Sequence, residues 1–299
     1  MEVLEQVVSQ KTDIKTSYEP LSPRKMMVKR FKRNKRAVIG LSVTTIFIII
    51  AIFAPLLSPY DPFEYHMKEI LHSPSLRHPF GTDQFGRDVL ARIIYGSRIS
   101  LMIGIVGVGI SVIVGVTLGT IAGYFGGLID NIMMRIMDIL LAFPGFLLAL
   151  AIISILGPNM LNVMIAIGIF SIPVFARIMR SSVISIKYKE FIEATKSLGG
   201  SHFLIIMKHI VPNCIAPIIV LSTMRIATSI LTAAGLSFLG LGAQPPSPEW
   251  GAMLNEGREY IRSAPHLSTV PGLVIMIVVL GFNMLGDGLR DALDPQMKI

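Results

Sequence analysis

Cysteine is almost absent from this chain: Cys214 stands alone among 299 residues. A single thiol excludes an internal disulfide and any cysteine-based metal framework. Charge is scarce as well. Only 15% of residues are Asp, Glu, Lys or Arg, where an average soluble domain carries about 25%. With 52% hydrophobic residues, that deficit points to a membrane protein. There is no G-x-x-x-x-G-K-[ST] phosphate loop, so the chain is not expected to bind ATP itself. Neither an H-E-x-x-H zinc motif nor a nucleophile elbow occurs, so no catalytic site, enzyme activity or cofactor is expected. His66, His72 and His78 lie near Glu64 and Glu69, but a six-residue spacing does not match the H-x₃₋₅-H of zinc sites. No metal is expected.

What charge there is lies in patches. The net +8 is concentrated in Lys29, Arg30, Lys32, Arg33, Lys35 and Arg36, directly before the first apolar run. With no folded basic domain beside it, this cluster reads as a cytoplasmic anchor on a lipid bilayer, not as a nucleic-acid surface. Residues 1–36, with Pro20 and Pro23, read as a loosely ordered basic tail. The uncharged run from Ala37 to Tyr60 is longer than a signal-peptide core of about 7–15 residues, and Pro55 makes cleavage after Ala54 unfavourable. It reads as a retained first transmembrane helix over 37–58, ended by Pro55 and Pro59.

Residues 59–98 are mixed and form an extracytoplasmic or interfacial segment. Asp83 and Arg87, and Asp88 and Arg92, are four apart and would face each other on an amphipathic helix. Residues 99–290 hold the remaining spans. The second helix is expected from Ile99 to Tyr124, with Gly115, Gly119, Gly123 and Gly127 along one close-packing face. Arg135 and Asp138 are one turn apart near the cytoplasmic edge of the third helix and are placed to pair. The uncharged run Ile139–Ala176 is too long for one crossing. Gly157-Pro158-Asn159 splits it, and Pro144 and Pro173 kink the two halves. The fifth helix runs from Pro212 to Phe238 and carries Arg225 near its middle. At that depth a cation faces a watery path or a polar partner such as Asp138. Trp250, the only tryptophan, follows a proline-rich stretch and suits a membrane interface. The sixth helix is expected over Leu267–Leu285, and residues 291–299 form a cytoplasmic tail.

Between the fourth and fifth helices lies the longest polar-bearing stretch of the second half, Lys187–Asn213. Phe191, Ala194 and Leu198 recur at i, i+3 and i+7, with Glu190 and Glu193 turned away. Gly199-Gly200 stops this helix and Ser201 caps a second. Pro212 marks re-entry into an apolar run. Residues 1–36 hold ten Lys and Arg, and Arg177–Lys208 six against two acids, whereas the 243–266 loop is acidic on balance. Both termini and the 187–213 loop therefore belong on the cytoplasmic side, with six crossings between them.

Glu193-Ala194-Thr195, Gly199 and His209-Ile210-Val211-Pro212 resemble the "EAA" loop of bacterial ABC-importer permeases. Glu193, Ala194, Gly199 and Pro212 are in register. Thr195, His209 and Val211 depart from the pattern. Gly81, Thr82, Asp83, Gly86, Arg87, Asp88, Arg92, Gly96 and Arg98 resemble the G-T-D-x-x-G-R-D region of the "C"-type dipeptide/oligopeptide group, and fit a salt-bridged scaffold. The resemblance covers about residues 25–299. It implies an all-α integral membrane protein with the type I ABC-importer transmembrane fold. It also implies that Glu190, Glu193, Ala194, Gly199, Gly200 and Pro212 couple to an ATPase. The implied partners are a second homologous permease, two ATP-binding subunits and an extracytoplasmic substrate-binding protein. Members of the family carry dipeptides, oligopeptides, nickel or glutathione. An ion-gradient-driven secondary transporter is the alternative of another class; it would need a central carboxylate beside Arg225 and internal repeats, and the sequence has neither.

Overall fold

The first membrane helix begins where an asparagine can start it. In the computed structural model, which describes residues 23–293, the Asn34 side chain accepts N–H bonds from Arg36 and Ala37. It separates a short basic helix, α1 (Pro23–Arg33), from the first span, α2 (Lys35–Ile52). One further helical turn, Ala54–Leu57, carries Pro55 and ends the run as expected. Asn34 Nδ2 also donates to Asp291 at 2.9 Å, so the start of the first span is tied to the end of the last. The expected loose tail over residues 1–36 is helical from Pro23 onward, broken only at Asn34; residues 1–22, and the end of the C-terminal tail at 294–299, lie outside the described residues.

The second span, α3 (Val89–Phe125), is 37 residues long. It begins ten residues before the expected Ile99, because Asp88 caps it: the carboxylate accepts the Ala91 N–H at 2.7 Å. α3 packs along α6 (Met160–Ile186). Gly115, Gly119 and Gly123 form the contact face, so the glycine stripe serves packing within the chain. Gly127 lies beyond it and starts the next helix. A Cβ on Gly119 would overlap the Ala176 carbonyl and lie 2.9 Å from Met179 Cβ, whereas one on Gly109 would meet nothing within 4 Å. Gly119→Val is therefore expected to lower the melting temperature of the purified protein, since overpacking costs about 1–3 kcal/mol. Gly109→Val should change it little. Equal melting of the two variants would remove the glycine stripe from the account.

α4 (Gly127–Leu141) and α5 (Gly145–Leu156) are bent by 88° at the break containing Pro144. Pro144 breaks the helix where only a kink is expected. α5 turns back into α6 through Gly157-Pro158-Asn159, and Asn162 Nδ2 closes the hairpin on the Leu156 and Gly157 carbonyls. Arg135 and Asp138 do not pair. Asp138 reaches across to Arg177 at 2.5 Å, and Asp130 grips Arg180 at 2.5 and 2.6 Å, so both carboxylates bind α6.

The loop after α6 holds α7 (Glu190–Ser197). α8 runs unbroken from His202 to Phe238. The expected second arm and the fifth span are thus one helix. Pro212 is accommodated by a π-helical segment, Ile205–Ile210, whose wider turn makes room where proline supplies no N–H. α9 (Trp250–Gly257) is short, and α10 (His266–Leu293) extends beyond Leu285, because Gly286, Gly288 and Ala292 are buried rather than part of a tail. Among the described residues, five helices are long and apolar enough to cross a membrane, and the bent α4–α5 pair makes a sixth. No strand forms there beyond one isolated bridge, Thr82–Asp88.

Candidate functional site

Two polar regions stand at opposite ends of α3. The one at its N-terminus is a buried ion cluster. Gly81 and Gly86 have φ of +75° and +74°, which turns residues 81–88 tightly back on themselves. Asp83 Oδ1 accepts the N–H groups of Phe85 and Arg87, both at 2.9 Å, and Oδ2 accepts Arg87 Nε at 2.6 Å. The expected Asp83–Arg87 pair therefore forms, but in a turn and not on a helix. Asp88 and Arg92 do not pair. Asp88 is spent on the cap and on His78 Nδ1 at 2.8 Å, while Arg92 turns to Glu256 at 3.1 Å and lies 3.6 Å from Asp83. Arg87 reaches the same Glu256 oxygen at 2.9 Å. Both guanidinium groups are about 1% exposed.

Two carboxylates, Glu249 at the N-cap of α9 and Glu256 within it, lock that helix onto α3. Besides Glu256, Glu249 is fully buried; it accepts the Ser100 hydroxyl at 3.2 Å and the Ala252 N–H at 2.8 Å. Burial pushes its carboxyl above the usual range. Trp250 is also fully buried, over Gly96, and its Nε1 donates to the Ile93 carbonyl at 3.1 Å. It is a core residue and not an interface anchor. Sequence reasoning missed Glu249 and Glu256. Their seven-residue spacing, which puts both on one helical face, was the available signal.

The second region is the 187–213 loop. Lys187 caps the other end of α3, donating to the Gly123 and Tyr124 carbonyls at 3.1 and 3.3 Å. In α7, Glu190 and Glu193 are exposed in the first turn, where the helix dipole favours them. The buried anchor is Ile192, 3% exposed and packed with Ile186, Ile205, Ile210 and Cys214. Phe191, Ala194 and Leu198 face outward instead. At the corner, the Gly199 N–H bonds Lys196 and the Gly200 N–H bonds Thr195, both at 3.0 Å. That is the paired closure of a helix C-terminus, with Gly199 at φ +80°. The two glycines are required for different reasons: Gly199 for its φ, and Gly200 because a Cβ would lie 2.8 Å from the Thr195 carbonyl. Ser201 Oγ accepts the Leu204 N–H, as expected of a cap. The result is a rim of Leu198 (89% exposed), Phe203 (75%), Leu204 and Met207, beside two carboxylates. Pro212 lies in α8 behind this rim, in the first turn after the π-helical segment.

Arg225 is half-buried within α8. Among the described residues no side chain pairs with its guanidinium, and Asp138 is committed to Arg177.

These features define the class by fold. The chain is similar to the MetNI methionine ABC transporter in inward-facing conformations. One crystal form gives a TM-score of 0.54 at 17% identity, covering 68% of this chain and 97% of that chain. A second gives 0.55 at 18%, covering 69% and 98%. The model for the binding-protein-dependent transport system inner membrane component matches residues 115–299, and that for the N-terminal transmembrane domain of oligopeptide transport permease C matches residues 22–74. The chain belongs to the family of binding-protein-dependent transport system inner membrane components. It is 54% identical to the dipeptide transport system permease protein DppC of Alkalihalophilus pseudofirmus, over 94% of this chain and 92% of that one. It is 49% identical to the glutathione transport system permease protein GsiD of Escherichia coli, over 90% and 89%, and of Pectobacterium atrosepticum, over 90% of each. It is thus a permease subunit of an ABC importer, a multi-pass protein of the inner membrane. Its relatives are transport permeases, and the family implies an ATPase and a permease as partners.

Proposed function

We propose that the chain forms one half of a translocation pore for di- and oligopeptides, and that its 187–213 loop docks on a separate ATP-binding subunit. A homologous second permease completes the pore, two ATP-binding subunits drive it, and an extracytoplasmic binding protein delivers the substrate. The carrying observation is the exposed apolar rim of Leu198, Phe203, Leu204 and Met207 on the 187–213 loop. Solvent does not favour such a rim, and a protein groove does. Its neighbours Glu190 and Glu193 are placed to accept charge-assisted bonds from an arginine of that groove. The chain itself carries no catalytic role. ATP binding favours one facing of the pore to the extent that the ATPases contact its two states differently. The dipeptide and glutathione permeases among the relatives support a short peptide as cargo.

A photo-crosslinking residue at Phe203 or Leu198 is expected to capture the ATP-binding subunit in native membranes. Capture by neither position would overturn the docking. Uptake of a radiolabelled dipeptide should be competed by other short peptides, and competition by glutathione alone would move the cargo to that tripeptide.

Arg225 is proposed to face the translocation path, where its N–H groups meet a peptide carboxylate or carbonyl. A cation at mid-span costs about 2.5–3.5 kcal/mol on the insertion scale, and no partner within the described residues offsets that cost. Arg225→Leu should assemble normally and lose most uptake, with Arg225→Lys restoring part. Lost assembly in Arg225→Leu would instead assign the residue to the contact with the second permease.

A further inference from the structure

α3 joins the two polar regions as a single uninterrupted rod, 37 residues long and so about 55 Å from end to end. Its N-terminus is fixed: Asp88 caps it, and Arg92, in its first turn, is held by Glu256. Its C-terminal turn is gripped by the loop at two points. Lys187, at the entry of the loop, takes the Gly123 and Tyr124 carbonyls that a helix end leaves unpaired. At the corner, the Tyr124 hydroxyl and His202 Nδ1 are 2.7 Å apart. The Tyr124 and Phe125 rings lie 5.6 and 5.9 Å from the imidazole. Lys187 and His202 bracket α7 and the Gly199–Gly200 turn, so a displacement of that unit either carries the end of α3 with it or breaks these contacts.

We propose that the Tyr124–His202 pair is the positioning contact through which movement of the loop is passed to α3, and from there to the ion cluster and α9 at the opposite end. This rests on the docking of the loop proposed above. The pair is suited to transmission rather than to holding the fold. It is the one side chain to side chain hydrogen bond between α3 and the loop among the described residues. His202 is exposed and Tyr124 half-buried, so removing the hydroxyl leaves the ring packing in place. Neither residue belongs to the outward rim. A hydrogen bond fixes direction as well as distance, which ring contact alone does not.

The test uses the complete transporter in liposomes, with both permeases, the ATP-binding subunits and the binding protein, and a radiolabelled dipeptide as probe. Tyr124→Phe should assemble like the wild type, retain its ATP-binding subunits, and move roughly fivefold less peptide per ATP hydrolysed, the size expected for one neutral hydrogen bond. His202→Gln, which keeps both a donor and an acceptor, should retain most of the wild-type ratio. His202→Leu should match Tyr124→Phe, and the double variant should be no worse than either single one. A wild-type ratio in Tyr124→Phe overturns the proposal. So does failure of that variant to assemble, which would make the bond structural, and so does equal loss in His202→Gln and His202→Leu. Failure of the docking itself is read separately, as absence of crosslinks from Phe203 and Leu198 in the wild-type protein.

Discussion

Glu256→Ala is expected to remove most of the folded protein from the membrane. Arg87 and Arg92 are buried side by side and both bind one oxygen of Glu256, with Asp83 the only other carboxylate in contact among the described residues. The four charges balance. Without Glu256, a net positive charge remains on two guanidinium groups that are each about 1% exposed. Breaking a buried pair by removing one partner costs about 3–5 kcal/mol, because the surviving charge loses compensation for its desolvation. Folded domains are stable by only about 5–15 kcal/mol, so the loss is a large share of the whole. Glu256→Gln keeps an acceptor but not the charge, and should fall between. The measurements are abundance in membranes and melting of the purified permease. Wild-type values for Glu256→Ala would show that water or another group neutralises the arginines, and the cluster would then not be what fixes α9.

The same cluster shows where the sequence could be read and where it could not. Asp83 and Arg87 pair because a contact across four residues is decided locally, and it formed even though the expected helix was a turn. Asp88 and Arg92 have the same spacing and do not pair, since Asp88 is drawn to a helix start and Arg92 to a carboxylate 164 positions away. No pattern along the chain sets that choice. Trp250 was misplaced for a related reason. Lone tryptophans suit membrane interfaces, but Gly96 opens a slot on α3 that only the folded packing reveals. Long spans were legible from hydrophobic runs, because the bilayer fixes their length. Their ends were less so: a capping residue moved the start of α3, and buried glycines carried α10 past its apolar run. The Gly199–Gly200 corner and the Ser201 cap were legible because backbone sterics decide them within a few residues. Which side of α7 faces outward was not, because Ile192 is buried by packing against α8 rather than by its own periodicity.

Leu198→Glu combined with Phe203→Glu is expected to abolish binding-protein-stimulated ATP hydrolysis and uptake while leaving the permease folded. Both side chains are largely exposed, so in the isolated permease they contribute little to stability. Docked in an apolar groove, each contributes on the order of 1.5–3 kcal/mol by burial, and a carboxylate in its place adds the cost of an unpaired buried charge. Two such losses exceed a thousandfold in affinity, since each 1.4 kcal/mol is about tenfold. Ile192→Asp serves as the contrast. It places a charge in the packed face of the loop and should reduce abundance as well as activity. Gly199→Val tests the same surface through geometry. A β-branched residue at φ +80° costs roughly 1–2 kcal/mol, which shifts the corner without altering the chemistry of the rim. It should weaken co-purification of the ATP-binding subunit less than the double glutamate variant does. If the double variant retains wild-type stimulation, the apolar rim is not the docking surface. The contact would then fall to Glu190 and Glu193, which remain exposed on the first turn of α7.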